Sequence, residues 1–462
     1  MTDPLPFRGA ADLAGDLRAR KLSAVDLTGA FLDRIERLDP YYHSFISLSA
    51  ESAMADADRA DRELRAGIDR GPMHGIPVGI KDLIDTAGIV TAAGLAVRAG
   101  HVPDRDATVV RRLREGGAVI LGKLTLTEGA TLLHHPDTPV PVNPWGATRN
   151  SGFSSSGAGV AVAAGLCTLA LASDTGGSIR IPSAFNGLTG LKPSWGRVSR
   201  AGVFPLAECL DVVGPMARSA ADAAIALSVI AGADPDDPTT DLSQPPDYAA
   251  GLRLPIDGVV IGVDWERIAT DCTPSVMQGL RAIAATLKTL GAIIAPVRLD
   301  LPDPQRIVAL AAAGISDAHR ETFPAFADQY SPAIRAMLEA GMKLPARDVA
   351  AAMSAAERFK GQLRASFAHV DLLLVPAMTG PAPSILGSGI EGADSVPHSM
   401  TYTLPFNVSG SPTITFPCGF DGGLPIAGQL IGPHLAESLL LRAAHAFQSR
   451  TEWHRHRPPA PR

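Results

Sequence analysis

Ser173-Asp174-Thr175-Gly176-Gly177-Ser178-Ile179-Arg180-Ile181-Pro182 governs the reading of this chain. An acid and a threonine precede two glycines, which lead directly into a serine. Glycine reaches backbone conformations closed to other residues and lets the chain approach a ligand closely. Successive N–H groups in such a turn can converge on an anion. A serine closing the turn then carries its hydroxyl beside an oxyanion site. The plainer reading is a tight turn between a strand and a helix.

Two upstream stretches separate these readings. The first is Arg149-Asn150-Ser151-Gly152-Phe153-Ser154-Ser155-Ser156-Gly157, and the second is Gly75-Ile76-Pro77-Val78-Gly79-Ile80-Lys81-Asp82. A serine hydroxyl is a poor nucleophile without a base. Lysine serves as that base only where burial or nearby positive charge keeps it neutral. Lys81 follows the apolar run Ile76 to Ile80, which reads as a buried strand. A second serine between Lys81 and Ser178 could relay the proton. Taken singly, each piece has an ordinary explanation in a solvated lysine or a serine-rich loop; the combination of three points to nucleophilic catalysis.

These residues resemble the amidase signature family, which uses a Ser–cis-Ser–Lys triad. By that resemblance Ser178 is the acylated nucleophile, Ser154 the bridging serine on a cis peptide bond, and Lys81 the terminal base. Ser154 precedes Ser178 by 24 residues and Lys81 precedes it by 97, which fits the family's layout. The likeness extends through Asn143-Pro144-Trp145, Gly187-Leu188-Thr189-Gly190-Leu191-Lys192-Pro193 and Gly196-Arg197-Val198-Ser199. It resumes at Phe406-Asn407, Pro417-Cys418-Gly419 and Gly428-Gln429-Leu430-Ile431-Gly432. It is weakest over residues 233–400.

One departure stands at the bridging serine. Phe153 replaces a family glycine, which leaves two registers open, with Ser154 or Ser155 as the bridge; the interval to Ser178 favours Ser154. The resemblance implies acyl transfer: Lys81 takes a proton through Ser154, Ser178 attacks a carbonyl, and the N–H groups of Thr175, Gly176, Gly177 and Ser178 hold the oxyanion. Ser155, Asp174 and Arg180 are supporting candidates. No metal or cofactor is required.

The implied substrate is a small-molecule neutral amide with a hydrophobic or aryl portion, with carbamates (urethanes) and esters open to the same chemistry. The Ser-Ser-Ser-Gly variant resembles amidases described as aryl acylamidases and urethane hydrolases. Segments 129–142, 203–210 and 301–400 are expected to shape the pocket, with Phe153, Phe204, Leu206 and Met378 as apolar lining. Core packing is the competing role for each. A second hypothesis is the amidotransferase subunit that feeds ammonia from glutamine to misacylated tRNA. That subunit usually carries glutamine where this chain has Ile181, and works only with partner subunits. A third is a binding protein without catalysis, against which the intact Lys81, Ser154 and Ser178 speak.

Rival chemistries lack their motifs. There is no G-x-S-x-G elbow and no H-E-x-x-H zinc motif. His134 and His135 are adjacent, so they cannot share a helix face. They read as solvated loop residues, or as a pocket rim just before Asn143.

The 462 residues are 46% hydrophobic and 19% charged, enough for a large core. A net charge of −6 without a basic block gives nucleic-acid binding no support. Cys167, Cys209, Cys272 and Cys418 are widely spaced and read as buried thiols of a reducing compartment. The start of the chain lacks the charged and apolar regions of a signal peptide, and no run of 18 apolar residues argues for a membrane span. The expected protein is cytoplasmic, monomeric or homodimeric.

Along the chain, residues 8–67 read as helices. Ser23 with Asp26 forms a capping box, Leu27, Phe31, Ile35 and Leu38 share a face, and Asp39-Pro40 ends that helix. Strand and helix signals then alternate: Ile76–Ile80, a helix near 107–116, and Ala118–Leu121. Val160–Ala172 reads as a buried helix and Asp234 to Tyr248 as a loop. Val259–Val263, a helix over 275–289 and Ile293–Val297 suggest a βαβ unit. Residues 305–370 are mainly helical, Asp371–Val375 a strand, and 377–398 a loop. Val408–Phe416 and Ala427–Ile431 read as strands and Glu437–Gln448 as the last helix. This pattern indicates an α/β fold, which the resemblance specifies as a single mixed β-sheet core flanked by helices on both sides. The expected divisions are an N-terminal helical segment 1–70, a signature core 71–232, a variable region 233–400 and a completing segment 401–462.

Overall fold

Short apolar runs bounded by glycine, proline and polar residues supply the strands. These are β1 (Phe45–Leu48), β2 (Pro77–Lys81), β3 (Val119–Leu124), β4 (Leu169–Asp174), β5 (Thr189–Lys192), β6 (Val212–Ala217), β7 (Val260–Val263), β8 (Ile293–Pro296), β9 (Leu372–Pro376), β10 (Thr413–Asp421) and β11 (Leu424–Ile431). In the computed structural model, which describes residues 4–385 and 400–461, they form one sheet in the order β1-β3-β2-β4-β6-β5-β10-β11-β9-β7-β8. β2 runs parallel to β3 and β4, and β7 runs parallel to β8 and β9. The other pairings are antiparallel. Helices Ala50–Arg65, Ser156–Ala163, Arg180–Asn186, Pro274–Thr289 and Glu437–Gln448 pack on it. This is the α/β class with one mixed sheet.

The topology sets the candidate site. β2 ends at Lys81 and its parallel neighbour β4 at Asp174, so both carboxyl ends reach the same edge of the sheet. Open α/β sheets place their ligands at such an edge. The turn after β4 feeds the helix Arg180–Asn186, and the stretch before the helix Ser156–Ala163 delivers Ser154. Among the described residues, no helix is long and apolar enough to cross a membrane.

The structure departs from the expected elements in several places. Residues 8–67 are not all helix, since Phe45–Leu48 forms edge strand β1 against β3. Asp39-Pro40 does not end its helix, which runs from Ala24 to Tyr42. Proline forfeits a single hydrogen bond there, one turn from the end. The stop comes at His43, in the left-handed conformation with φ 54°. The capping box is half formed: Ser23 Oγ accepts from Asp26 N at 2.9 Å, but the Asp26 carboxylate takes the Ser23 hydroxyl at 2.6 Å instead of its N–H.

Val160–Ala172 is not one helix. The helix ends at Ala163, Gly165 turns the chain with φ 71°, and Leu169 begins β4. An apolar run of this length fits a buried helix and a buried strand equally well. Val408–Phe416 likewise divides into the helix Leu404–Val408 and the start of β10. The strands β5 and β6 carry no alternation because every residue in them is buried. Residues 386–398 of the loop expected over 377–398 lie outside the described residues. Of the four cysteines, only Cys167 and Cys418 are buried; Cys209 is exposed and Cys272 half-buried.

Asp39 replaces the lost helical bonds at that first stop. Its Oδ1 accepts from Ser44 N at 2.8 Å and its Oδ2 from Phe45 N at 3.0 Å. Asp39→Ala leaves two N–H groups unmet and should cost about 1–3 kcal/mol. A urea transition with an unchanged midpoint would show that this capture contributes nothing.

Candidate active site

Asp174 organises the turn that follows β4. It is fully buried, and its carboxylate accepts from the N–H groups of Gly177 (2.9 Å) and Ile179 (3.0 Å). Arg180, equally buried, donates to it through Nε at 2.9 Å and Nη2 at 2.8 Å. Burial alone would raise this carboxyl; Arg180, with Lys192 and Asn407, more than offsets that and holds it well below the usual carboxylate range. Asn407 Nδ2 donates to Asp174 Oδ1 at 2.9 Å, while Arg180 Nη1 donates to Thr403 O at 2.9 Å. Segment 403–407 is thereby fastened to the turn.

Gly177 has φ 138°, and a Cβ there would lie 2.7 Å from both Ile181 and Thr403 side-chain atoms. Only glycine fits. Its N–H donates to Asp174 Oδ1. Among the described residues the N–H groups of Thr175, Gly176 and Ser178 meet no acceptor.

Lys81 is completely buried at the end of β2. Its Nζ lies 2.7 Å from Ser154 Oγ and 3.0 Å from Ser173 Oγ. Burial pulls the amine down to about 7, and the charges of Asp174 and Asp211 only partly oppose this. Two other lysines are buried. Lys123 donates to Ile84 O at 2.5 Å, and Lys192 to Ser411 O at 2.6 Å. A carbonyl only accepts hydrogen bonds, whereas a hydroxyl can also pass on a proton. Of the three, only Lys81 has hydroxyls alone as its hydrogen-bond partners.

The Phe153–Ser154 peptide bond is cis. Ser155 Oγ donates to Ser173 O at 3.3 Å and makes no bond to Lys81. Ser178 is 7% exposed, and no hydrogen bond joins its Oγ to Ser154 Oγ.

Two walls adjoin this centre. Phe153, Ile181 and Met378 share one buried apolar cluster. Phe204 stands apart from them, lining a cleft of ≈ 310 Å³ with Ser173, Thr175, Leu206 and Asp211. Its ring packs 5.5 Å from His319. His134 is a half-buried residue beside Phe153 rather than a solvated one. Its Nε2 lies 2.9 Å from Ser156 Oγ, and burial pushes the imidazole down to about 4.

The sequence reading missed Ser173, Asp211 and the roles of Thr403, Asn407 and Gln429. Ser173 was within reach, as the residue before Asp174 on a strand beside that of Lys81. The last three contact Arg180 across more than 220 positions, and nothing local signals that.

A model of the amidase family matches residues 26–441. The chain belongs to the amidase family. It is 44% identical over 457 residues to the putative amidase AmiD of Mycobacterium tuberculosis, covering 97% of this chain and 95% of the relative. A glutamyl-tRNA(Gln) amidotransferase subunit of Chloroflexus aurantiacus is 38% identical over 470 residues, covering 96% of each chain. Among solved structures, the peptide amidase of Stenotrophomonas maltophilia superposes with a TM-score of 0.81 at 32% identity over 99% of each chain. In this chain the Asp174–Arg180 pair is fully desolvated. Arg180→Met strands the Asp174 charge and should cost about 3–5 kcal/mol. An unfolding free energy within 1 kcal/mol of the wild type (about a fivefold change in the equilibrium) would contradict the framing role.

Proposed function

We propose that the chain hydrolyses a neutral amide with an apolar or aryl portion by acyl transfer to Ser178. One observation carries this reading: a buried lysine with its pKa drawn to about 7 stands 2.7 Å from Ser154 Oγ. Neutral Lys81 takes the Ser154 proton as Ser154 takes that of Ser178, and Ser178 Oγ bonds to the carbonyl carbon. The N–H groups of Thr175, Gly176 and Ser178 meet the developing oxyanion, where each donor contributes about 2.7–4 kcal/mol. The relay returns the proton to the leaving amine, and water then releases the acyl group by the same steps.

Ser154 is favoured over Ser155 as the bridge because only Ser154 bonds to Lys81. The cluster of Phe153, Ile181 and Met378 supports an apolar substrate portion, and carbamates and esters offer the same carbonyl to the same nucleophile. The amidotransferase reading has support in the 38% identical glutamyl-tRNA(Gln) amidotransferase subunit. Against it, Ile181 stands fully buried in an apolar cluster, where a glutamine side chain would have to be accommodated.

Activity-based labelling separates these readings. A fluorophosphonate should add once, on Ser178, and Ser178→Ala should abolish both the adduct and turnover, by a factor on the order of 10⁶. Ser154→Ala should lose about 10²–10⁴-fold with Ser155→Ala milder; the reverse order would move the bridge to Ser155. Aryl anilides should turn over without added subunits. Glutamine hydrolysis that requires a partner would replace this reading with the amidotransferase one.

The pH profile follows from the lysine. The base must be neutral, so kcat/KM should fall as pH drops below about 7 and level off above it. A flat profile across about pH 5 to 9 would remove Lys81 as the base.

A further inference from the structure

No residue of the Ser178 site lines the groove of ≈ 820 Å³ where the two ends of the chain meet. Its size lies within the roughly 300–1,000 Å³ of small-molecule sites. Its lining is cationic: Arg8, Arg218, Arg253, Arg455 and Arg457 stand there with two carboxylates, Asp12 and Asp222. Asp222 accepts from Ala10 N at 2.6 Å and Ser219 Oγ at 2.9 Å and stands against Arg218.

The arginines are held in place by the fold. Arg218 Nη2 donates to Arg8 O at 2.6 Å, and its guanidinium stands 5.8 Å from the centre of the Phe7 ring. Arg457 stands over the same ring at 5.0 Å. Arg8 pairs with Asp16 at 2.7 Å and Arg455 with Glu452 at 3.3 Å. Arg253 has no carboxylate within ion-pair distance and no hydrogen-bond acceptor among the described residues.

Two histidines complete the wall. Nδ1 of His454 is buried and has no hydrogen-bond partner. Burial, then Arg455, His445 and His456, push its imidazole down to about 4; burial and Arg253 lower that of His445. The arginines of the lining outnumber its carboxylates, and excess like charge opposes folding. An anion with several oxygens would relieve it, meeting Arg253 and the unmet His454 nitrogen together.

We propose that this groove binds a small phosphorylated molecule. Guanidinium groups hold phosphate through paired, charge-assisted hydrogen bonds. The proposal is independent of the amide-hydrolase reading.

Calorimetric titration of the full chain with inorganic pyrophosphate, at ionic strength matched by sodium chloride, tests it. One molecule should bind per chain, and the exposed double substitution Arg253→Ala/Arg455→Ala should weaken binding about tenfold or more. In the unsubstituted protein, NMR titration of His445 and His454 should move upward on adding pyrophosphate, because a bound anion favours the imidazolium form. Absent binding, undiminished binding in the double variant, or unmoved histidines would overturn the proposal. Co-sedimentation with phosphatidylglycerol vesicles in the absence of pyrophosphate binding would also overturn it, in favour of a lipid surface.

Discussion

The carboxylate of Asp174 and the guanidinium of Arg180, both without solvent contact, carry the rest of the site. Burying two opposite charges costs several kcal/mol per ion and is offset only when every lone pair and proton finds a partner. Here the partners come from the turn itself, through Gly177 and Ile179, and from distant Thr403 and Asn407. Satisfying the pair therefore fixes the turn that presents Ser178. The same carboxylate reaches Lys81 electrostatically and limits how far burial lowers its amine. One buried charge thus acts on both the Ser178 turn and the Lys81 amine.

Much of this was legible in residue types. The glycine pair before Ser178 marks a strand-turn-helix, and the apolar run before Lys81 marks a buried strand; β2, β4 and the helix Arg180–Asn186 bear out those elements. Legibility failed where burial is uniform. In β5 and β6 both faces are covered, so no alternation distinguishes them, and Val160–Ala172 reads as helix until Gly165 is known to reverse the chain. It failed again for Asn407 and Gln429, which a family motif contains but only tertiary structure joins to Arg180. The bond from Gly177 N to Asp174 was illegible for the same reason, since only the fold brings the two together.

The apolar residues expected to shape one pocket divide between two places. Phe153 and Met378 close against Ile181, whereas Phe204 stands on the cleft that reaches Ser173 and Thr175. Side-chain type alone could not make this division.

The order in which the chain supplies its parts has a further consequence. Lys81, Ser154 and Ser178 all precede position 180, yet Thr403, Asn407 and Gln429 close the frame around Arg180 from the last sixth of the sequence. A nascent chain emerging from the ribosome thus carries the hydroxyls and amine of the proposed site long before it can hold them in register. Its buried charge pair finds its last partners only when synthesis is nearly complete. A chain cut short before position 400 keeps every residue of the proposed chemistry and lacks the geometry to use it.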